Sequence, residues 1–132
     1  MIPSRRSLAR AQANFYLISG AWPLLSRRTF EKLTGPKQDF WLAQTVGALI
    51  VVTGATLIAA AEDQRTLNST AVRTLAIGSA LSLAAVDVVF VARRRISPIY
   101  LADAAAELAL AAGWLISRPS RPKNLPTDSL TA

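Results

Sequence analysis

Residues Ser82 to Trp114 read SLAAVDVVFVARRRISPIYLADAAAELALAAGW. Two apolar runs flank Arg93-Arg94-Arg95-Ile96-Ser97-Pro98, and three carboxylates interrupt them. Asp87 precedes the turn; Asp103 and Glu107 follow it. Runs of this length with so few charges predict two helices suited to lipid. An acid near the centre of a lipid-embedded helix costs roughly 2.5–3.5 kcal/mol. Whatever offsets that cost is where function should lie. Arg93 to Arg95 suit the carboxyl end of the first helix, where cations complement the dipole and reach headgroups. Ser97 is expected to cap the next helix, with Pro98 in its first position.

Working outward, Thr70 to Ala92 forms the helix before the turn, capped by Asn68 or Ser69. Gly78 and Ser82 make a small-xxx-small pair on it. Before that, Phe40 to Ala61 holds 22 residues without a charge, about 33 Å of helix at 1.5 Å per residue. A soluble amphipathic helix would carry a charged face, and this one has none. Asp39 is its expected N-cap, and Phe40-Trp41 its interfacial anchor. Gly47, Gly54 and Ala61 recur every seven residues, which permits close helix approach within the chain or between copies.

The first long helix is expected over about residues 8–26. It is uncharged from Ala11 to Ser26. Gln12, Tyr16, Ser19 and Pro23 share one side, which should face protein because polar groups are costly against lipid. Pro23 should kink or loosen the last turn. Ser4-Arg5-Arg6-Ser7-Leu8 echoes a twin-arginine export signal, but the run after it lacks a small-x-small cleavage site, so the helix is expected to be retained. Ser26 to Thr34 pairs Phe30 and Leu33 with Arg27, Arg28 and Lys32, as a short helix lying in a membrane surface would, with a solvated connector as the alternative. Gly35-Pro36 stops it.

The expected architecture is therefore all-α: an integral-membrane, up-down four-helix bundle over residues 1–117. Its spans are near 8–26, 40–61, 70–92 and 98–117, with a short interfacial helix between the first two. Residues 118–132 carry Pro119, Pro122 and Pro126 and should form a disordered polar tail. Basic residues do not decide sidedness: Arg5, Arg6, Arg10, Arg65, Arg73, Arg118, Arg121 and Lys123 oppose Arg27, Arg28, Lys32, Lys37 and Arg93 to Arg95.

Composition agrees with this class. The chain is 52% hydrophobic and 17% charged, against about 25% charged in soluble domains. Lys and Arg outnumber Asp and Glu by 15 to 8, for a net charge of +7. The basic residues flank apolar runs instead of forming a stripe, which argues against nucleic acid. With neither cysteine nor histidine, disulfides, the usual zinc and haem sites and Ser-His-Asp chemistry are excluded. Acid–base work would fall to carboxylates, tyrosines or lysines. No cofactor and no resident metal are expected, and no catalytic residue is assigned.

If the last two helices form an antiparallel hairpin centred near Arg95, Asp87 and Asp103 lie at equal depth. Glu107 sits one turn deeper on the same face. Matching depths on the other helices place Tyr16 and Gln44 opposite them. A polar pocket follows, lined by Tyr16, Gln44, Asp87, Asp103 and Glu107, with Tyr100 and Trp22 at its mouth. Three acids there do not all stay ionised without a cation, since like charges repel and burial removes water. The pocket suits a proton, a metal ion, an organic amine or another small lipophilic or cationic ligand. The plainer alternatives stay open. Asp87 could pair with an arginine from the turn, Asp103 could complement a helix dipole, and Glu107 could be a neutral acid hydrogen-bonded between helices.

Four short spans with buried carboxylates resemble DoxX-like bacterial membrane proteins and the EXPERA group of sterol isomerases and sterol- and amine-binding receptors. The resemblance lies in architecture and acid placement over about residues 8–117. In the EXPERA group paired acids face a cationic ligand or intermediate, so the resemblance implies a multi-pass bacterial inner-membrane protein, and an isomerase as an alternative activity. The run Phe30-Glu31-Lys32-Leu33-Thr34-Gly35-Pro36-Lys37 is similar to that of other small bacterial membrane proteins. A structural or accessory subunit acting by helix packing is the remaining alternative. Expected partners are the lipid bilayer, the small ligand, and a second copy through Gly47 and Gly54.

Overall fold

A computed structural model describes residues 2–119. Six helices follow in chain order: α1 Arg5–Leu25, α2 Arg27–Thr34, α3 Phe40–Glu62, α4 Gln64–Leu67, α5 Thr70–Ala92 and α6 Tyr100–Ile116. Among the described residues there is no β-strand, only an isolated backbone bridge between Ser4 and Arg118. The chain is all-α. The expected tail lies outside the described residues from residue 120 onward.

Serines start three of the helices. The hydroxyls of Ser4, Ser26 and Ser69 accept from the backbone N–H groups of Ser7, Thr29 and Val72 at 3.2–3.3 Å, satisfying donors the helix leaves open. Gly35 ends α2 at φ 93°, with its N–H on the Glu31 carbonyl at 2.7 Å, a conformation glycine adopts without strain. Arg94 takes the same role after α5 at φ 56°. There the Arg95 N–H closes back on the Phe90 carbonyl at 2.9 Å.

Two expected caps differ. Asp39 stands at the start of α3 without a side-chain cap bond. Its ψ of 69° is outside the extended region from which a cap side chain reaches the helix N–H groups. Ser97 and Pro98 instead begin a tight turn, with the N–H groups of Tyr100 and Leu101 bonded three residues back. Regular α-helix therefore starts at Tyr100. The polar connection 62–69 also contains α4, closed by Asp63, whose carboxylate accepts from Arg65 N–H and Thr66 Oγ1.

The long helices pack as two antiparallel pairs, α1 with α3 and α5 with α6, and the pairs meet through α1–α6 and α3–α5. The α1–α3 contact is set by glycine. A Cβ on Gly20 would lie 2.6 Å from the Gly47 carbonyl oxygen, and one on Gly54 would lie 3.0 Å from that of Ala13. Gly47 and Gly54 are thus buried against α1. That corrects the expectation of self-association through this seam: it is filled within the chain. Pro23 lies inside α1, which continues to Leu25.

Among the described residues two helices are long and apolar enough to cross a membrane, α3 and α5. Four were expected. By length and composition α1 falls short because Arg10, Gln12 and Asn14 lower its hydropathy, and α6 because it has only 17 residues. Each of the four nevertheless carries exposed apolar side chains: Ile18 of α1 is 72% exposed, Leu49 of α3 65%, Val86 of α5 49% and Leu108 of α6 49%. Gln12, Tyr16, Asp87 and Glu107 point inward and are buried.

Candidate functional site

The site is built where α1, α5 and α6 face each other. Tyr16 and Gln12 are one turn apart on the inner side of α1, both essentially fully buried. On α6, Asp103, Glu107 and Trp114 fall on the inner side. The Tyr16 hydroxyl donates to Glu107 Oε2 at 2.7 Å. Trp114 Nε1 donates to Gln12 Oε1 at 2.7 Å, and Gln12 Nε2 donates to the Ala76 carbonyl of α5 at 3.0 Å. This chain of side chains ties three helices together through buried polar groups. Each is costly to leave unpaired, and all these are paired.

Asp87 is different. It is 5% exposed, and its Oδ2 has no hydrogen-bond partner among the described residues. The group that faces it is another acid, Asp103. Arg27–Glu31 is the ion pair among the described residues, so no arginine of the 93–95 turn folds back onto Asp87. Arg93 lies instead over the Phe90 ring at 5.9 Å. Two carboxyl groups side by side without a cation need a proton or a bound cation between them. No group of three His, Cys, Asp or Glu side chains that could hold a metal ion occurs among the described residues.

The mouth is formed by α2 and the connection after it. Trp22 Nε1 donates to Thr29 Oγ1 at 2.9 Å, and its ring meets Phe30 edge-on at 5.8 Å. Tyr100 is half-buried between Thr34 and the Asp87–Asp103 pair. Lys37 closes this end. Its ammonium lies 5.3 Å from the Phe30 ring centre and 5.5 Å from that of Tyr100. It also donates to the Thr34 carbonyl and hydroxyl and to the Gly35 carbonyl at 3.1–3.3 Å. Burial pushes its pKa below the usual lysine range, against a smaller opposing pull from Glu31.

Of the residues singled out from sequence, Tyr16, Asp87, Asp103 and Glu107 come together, with Tyr100 beside them. Gln44 does not join them. Its amide turns to the Pro23 carbonyl at 3.5 Å, in the α1–α3 contact. The acids also pack as a cluster and line neither of two clefts seen among the described residues. One cleft, of about 430 Å³, runs between α3 and α5 and reaches Tyr16. The other, of about 500 Å³, lies at the opposite end, beside Arg5 and Arg73. Sequence reasoning overlooked Trp114, two turns beyond Glu107 on the same face, and Lys37, whose inward turn follows from the glycine stop at Gly35. No protein-family model, curated protein or solved structure matches this chain.

Proposed function

We propose that this is a multi-pass membrane protein whose interior carboxyl pair, Asp87 and Asp103, holds a proton or a small cation. Tyr16 and Glu107 form a second, hydrogen-bonded pair one turn deeper. The observation that carries the reading is the buried, unpartnered Asp87 oxygen facing a second acid. In water such a pair would simply be solvated; inside a bundle with apolar outer faces it persists only with something bound. The outward faces support the membrane part. The most apolar stretches of α3 and α5 are only 17% and 22% buried, unlike the core helices of a soluble protein. α1 and α6 lie antiparallel against them with exposed apolar faces of their own, and we read all four as spans. The short α2, with Lys37 behind it, then lies at the membrane surface over the site. Because no described cleft reaches the acids, a proton or small cation fits better than a bulky lipophilic ligand or an isomerase substrate.

The test is infrared spectroscopy of the lipid-reconstituted protein, with ammonium ion as the cation probe. The parent should show the carboxyl-stretch band of a protonated acid, or be stabilised against heat by ammonium. Asp87→Asn should remove whichever signal is found. A folded parent with neither signal, or an Asp87→Asn variant that keeps the signal, would overturn the reading.

A second reading, an accessory subunit that packs against another membrane helix, is favoured by one observation. A Cβ at Gly78 would meet nothing within 4 Å, and Thr74 and Ser82, one turn to either side, are also exposed. That small-residue face of α5 is open to a close neighbour. Stoichiometric co-purification that is lost in Gly78→Leu would support it. Unchanged co-purification would count against it.

A further inference from the structure

The end of the bundle away from the acids holds two arginines with no carboxylate partner among the described residues. Arg5 begins α1 and is 8% exposed. Its polar contact is a long one, Nε to Ser117 Oγ at 3.4 Å. Arg73 lies in the first turn of α5; its Nη2 reaches the Leu115 carbonyl at 3.5 Å, while its Nε is buried with no acceptor. No carboxylate of the described residues lies within 4 Å of either guanidinium. Both arginines line the cleft of about 500 Å³, together with Ser69 and Thr70 at the start of α5, and with Ile77 and Leu115 below. Ser69 caps Val72, which leaves the first backbone N–H groups of a 23-residue helix open at the same place. The cleft is thus cationic and rich in donors at one end and apolar at the other. Its apolar end runs onto the outer surface through Leu115, which is 60% exposed.

We propose that this cleft binds the phosphate of an anionic lipid headgroup, with Arg5 and Arg73 as its two clamps and the acyl chain laid along Ile77 and Leu115. Guanidinium forks match phosphate oxygens in geometry and charge. The choice of a lipid over a free phosphate rests on the membrane reading above; the arginine clamp itself does not.

The experiment titrates the detergent-purified chain with phosphatidylglycerol, phosphatidylcholine and inorganic phosphate in separate arms, reading bound lipid by native mass spectrometry and stability by thermal unfolding. The parent should hold phosphatidylglycerol about tenfold more tightly than phosphatidylcholine. Arg5→Gln and Arg73→Gln should each abolish that preference, and Arg73→Lys should recover part of it. Arg10→Gln, which removes an exposed charge outside the cleft, should leave it intact. Should Arg5→Gln fail to fold, Arg73→Gln decides, because that side chain is only half-buried. Equal affinity for the two lipids, an unchanged preference in Arg73→Gln, or an equal loss in Arg10→Gln would overturn the proposal. Stabilisation by inorganic phosphate as strong as that by phosphatidylglycerol would overturn the lipid assignment. A chain that purifies without detergent would sink the membrane reading alone, since the phosphate arm still reports on the arginines.

Discussion

Tyr16 and Glu107 meet between α1 and α6 at 2.7 Å with both side chains buried, so each is the other's means of leaving water. Removing the hydroxyl leaves a buried carboxyl group without its donor, at a cost of about 1–3 kcal/mol. Tyr16→Phe should therefore lower stability in detergent by that amount. Glu107→Gln, whose amide oxygen still accepts the bond, should lose less. Equal losses would show that the bond is not what holds the pair. Arg94 provides an independent check outside the bundle. It is exposed and sits at φ 56°, a conformation that costs most residues about 1 kcal/mol and glycine almost nothing. Arg94→Gly should raise the unfolding free energy by about that much, measured by thermal or denaturant melting. These residues also show what sequence can tell. The face of α1 bearing Gln12, Tyr16 and Pro23 was readable from spacing alone. The pairing of Asp87 with Asp103 was readable from their equal distance from the Arg95 turn. Gln44 was expected opposite the acids from depth alone, but depth does not fix direction, and its amide turned to the Pro23 carbonyl.

At the scale of elements, the α1–α3 pair depends on two backbones touching. A side chain at Gly47 would press on the Gly20 carbonyl oxygen and the Pro23 ring, and overpacking of this kind costs typically 1–3 kcal/mol. Gly47→Ala should destabilise the protein by that amount. Gly78→Ala, with open space around it, should be neutral or stabilising through helix propensity. The two melting temperatures, side by side, check the packing. The connection α4 makes a pH prediction. The Thr66 hydroxyl, and then the backbone N–H groups of Arg65 and Thr66, hold the Asp63 carboxyl below its usual pKa. Its contribution to stability is therefore present above the ordinary carboxylate range and is lost as pH falls through the lowered value. Asp63→Asn should flatten the acid side of the stability–pH curve, and an unchanged curve would contradict the cap. The glycine seam and the serine cap at Ser69 follow from local chemistry that a sequence displays, whereas the caps at Ser4 and Ser26 emerged only from the structure. The helical turn α4 and the late start of α6 at Tyr100 do not, because both depend on how the chain closes its turns.

For the whole molecule, an apolar core of small and large side chains, among them Ala9, Ala13, Leu57, Ala76 and Trp114, encloses a few buried polar groups, and Ile, Leu and Val also cover the outside. Hydropathy legibly marked α3 and α5. It did not settle α1 and α6, whose polar residues and shorter length dilute the signal. The clefts were not legible at all, since they arise where two helix pairs meet loosely. The absence of cysteine makes the central claim directly measurable. Single cysteines at Ile18 of α1 and Leu108 of α6 can be offered a water-soluble maleimide in sealed vesicles, with Leu49→Cys and Arg65→Cys as the lipid-facing and water-facing references. If all four long helices lie in lipid around the acids, Ile18→Cys and Leu108→Cys should stay as unreactive as Leu49→Cys until detergent is added, while Arg65→Cys reacts at once from one side. Labelling of Ile18→Cys and Leu108→Cys as fast as Arg65→Cys would place those helices in water and contradict the account.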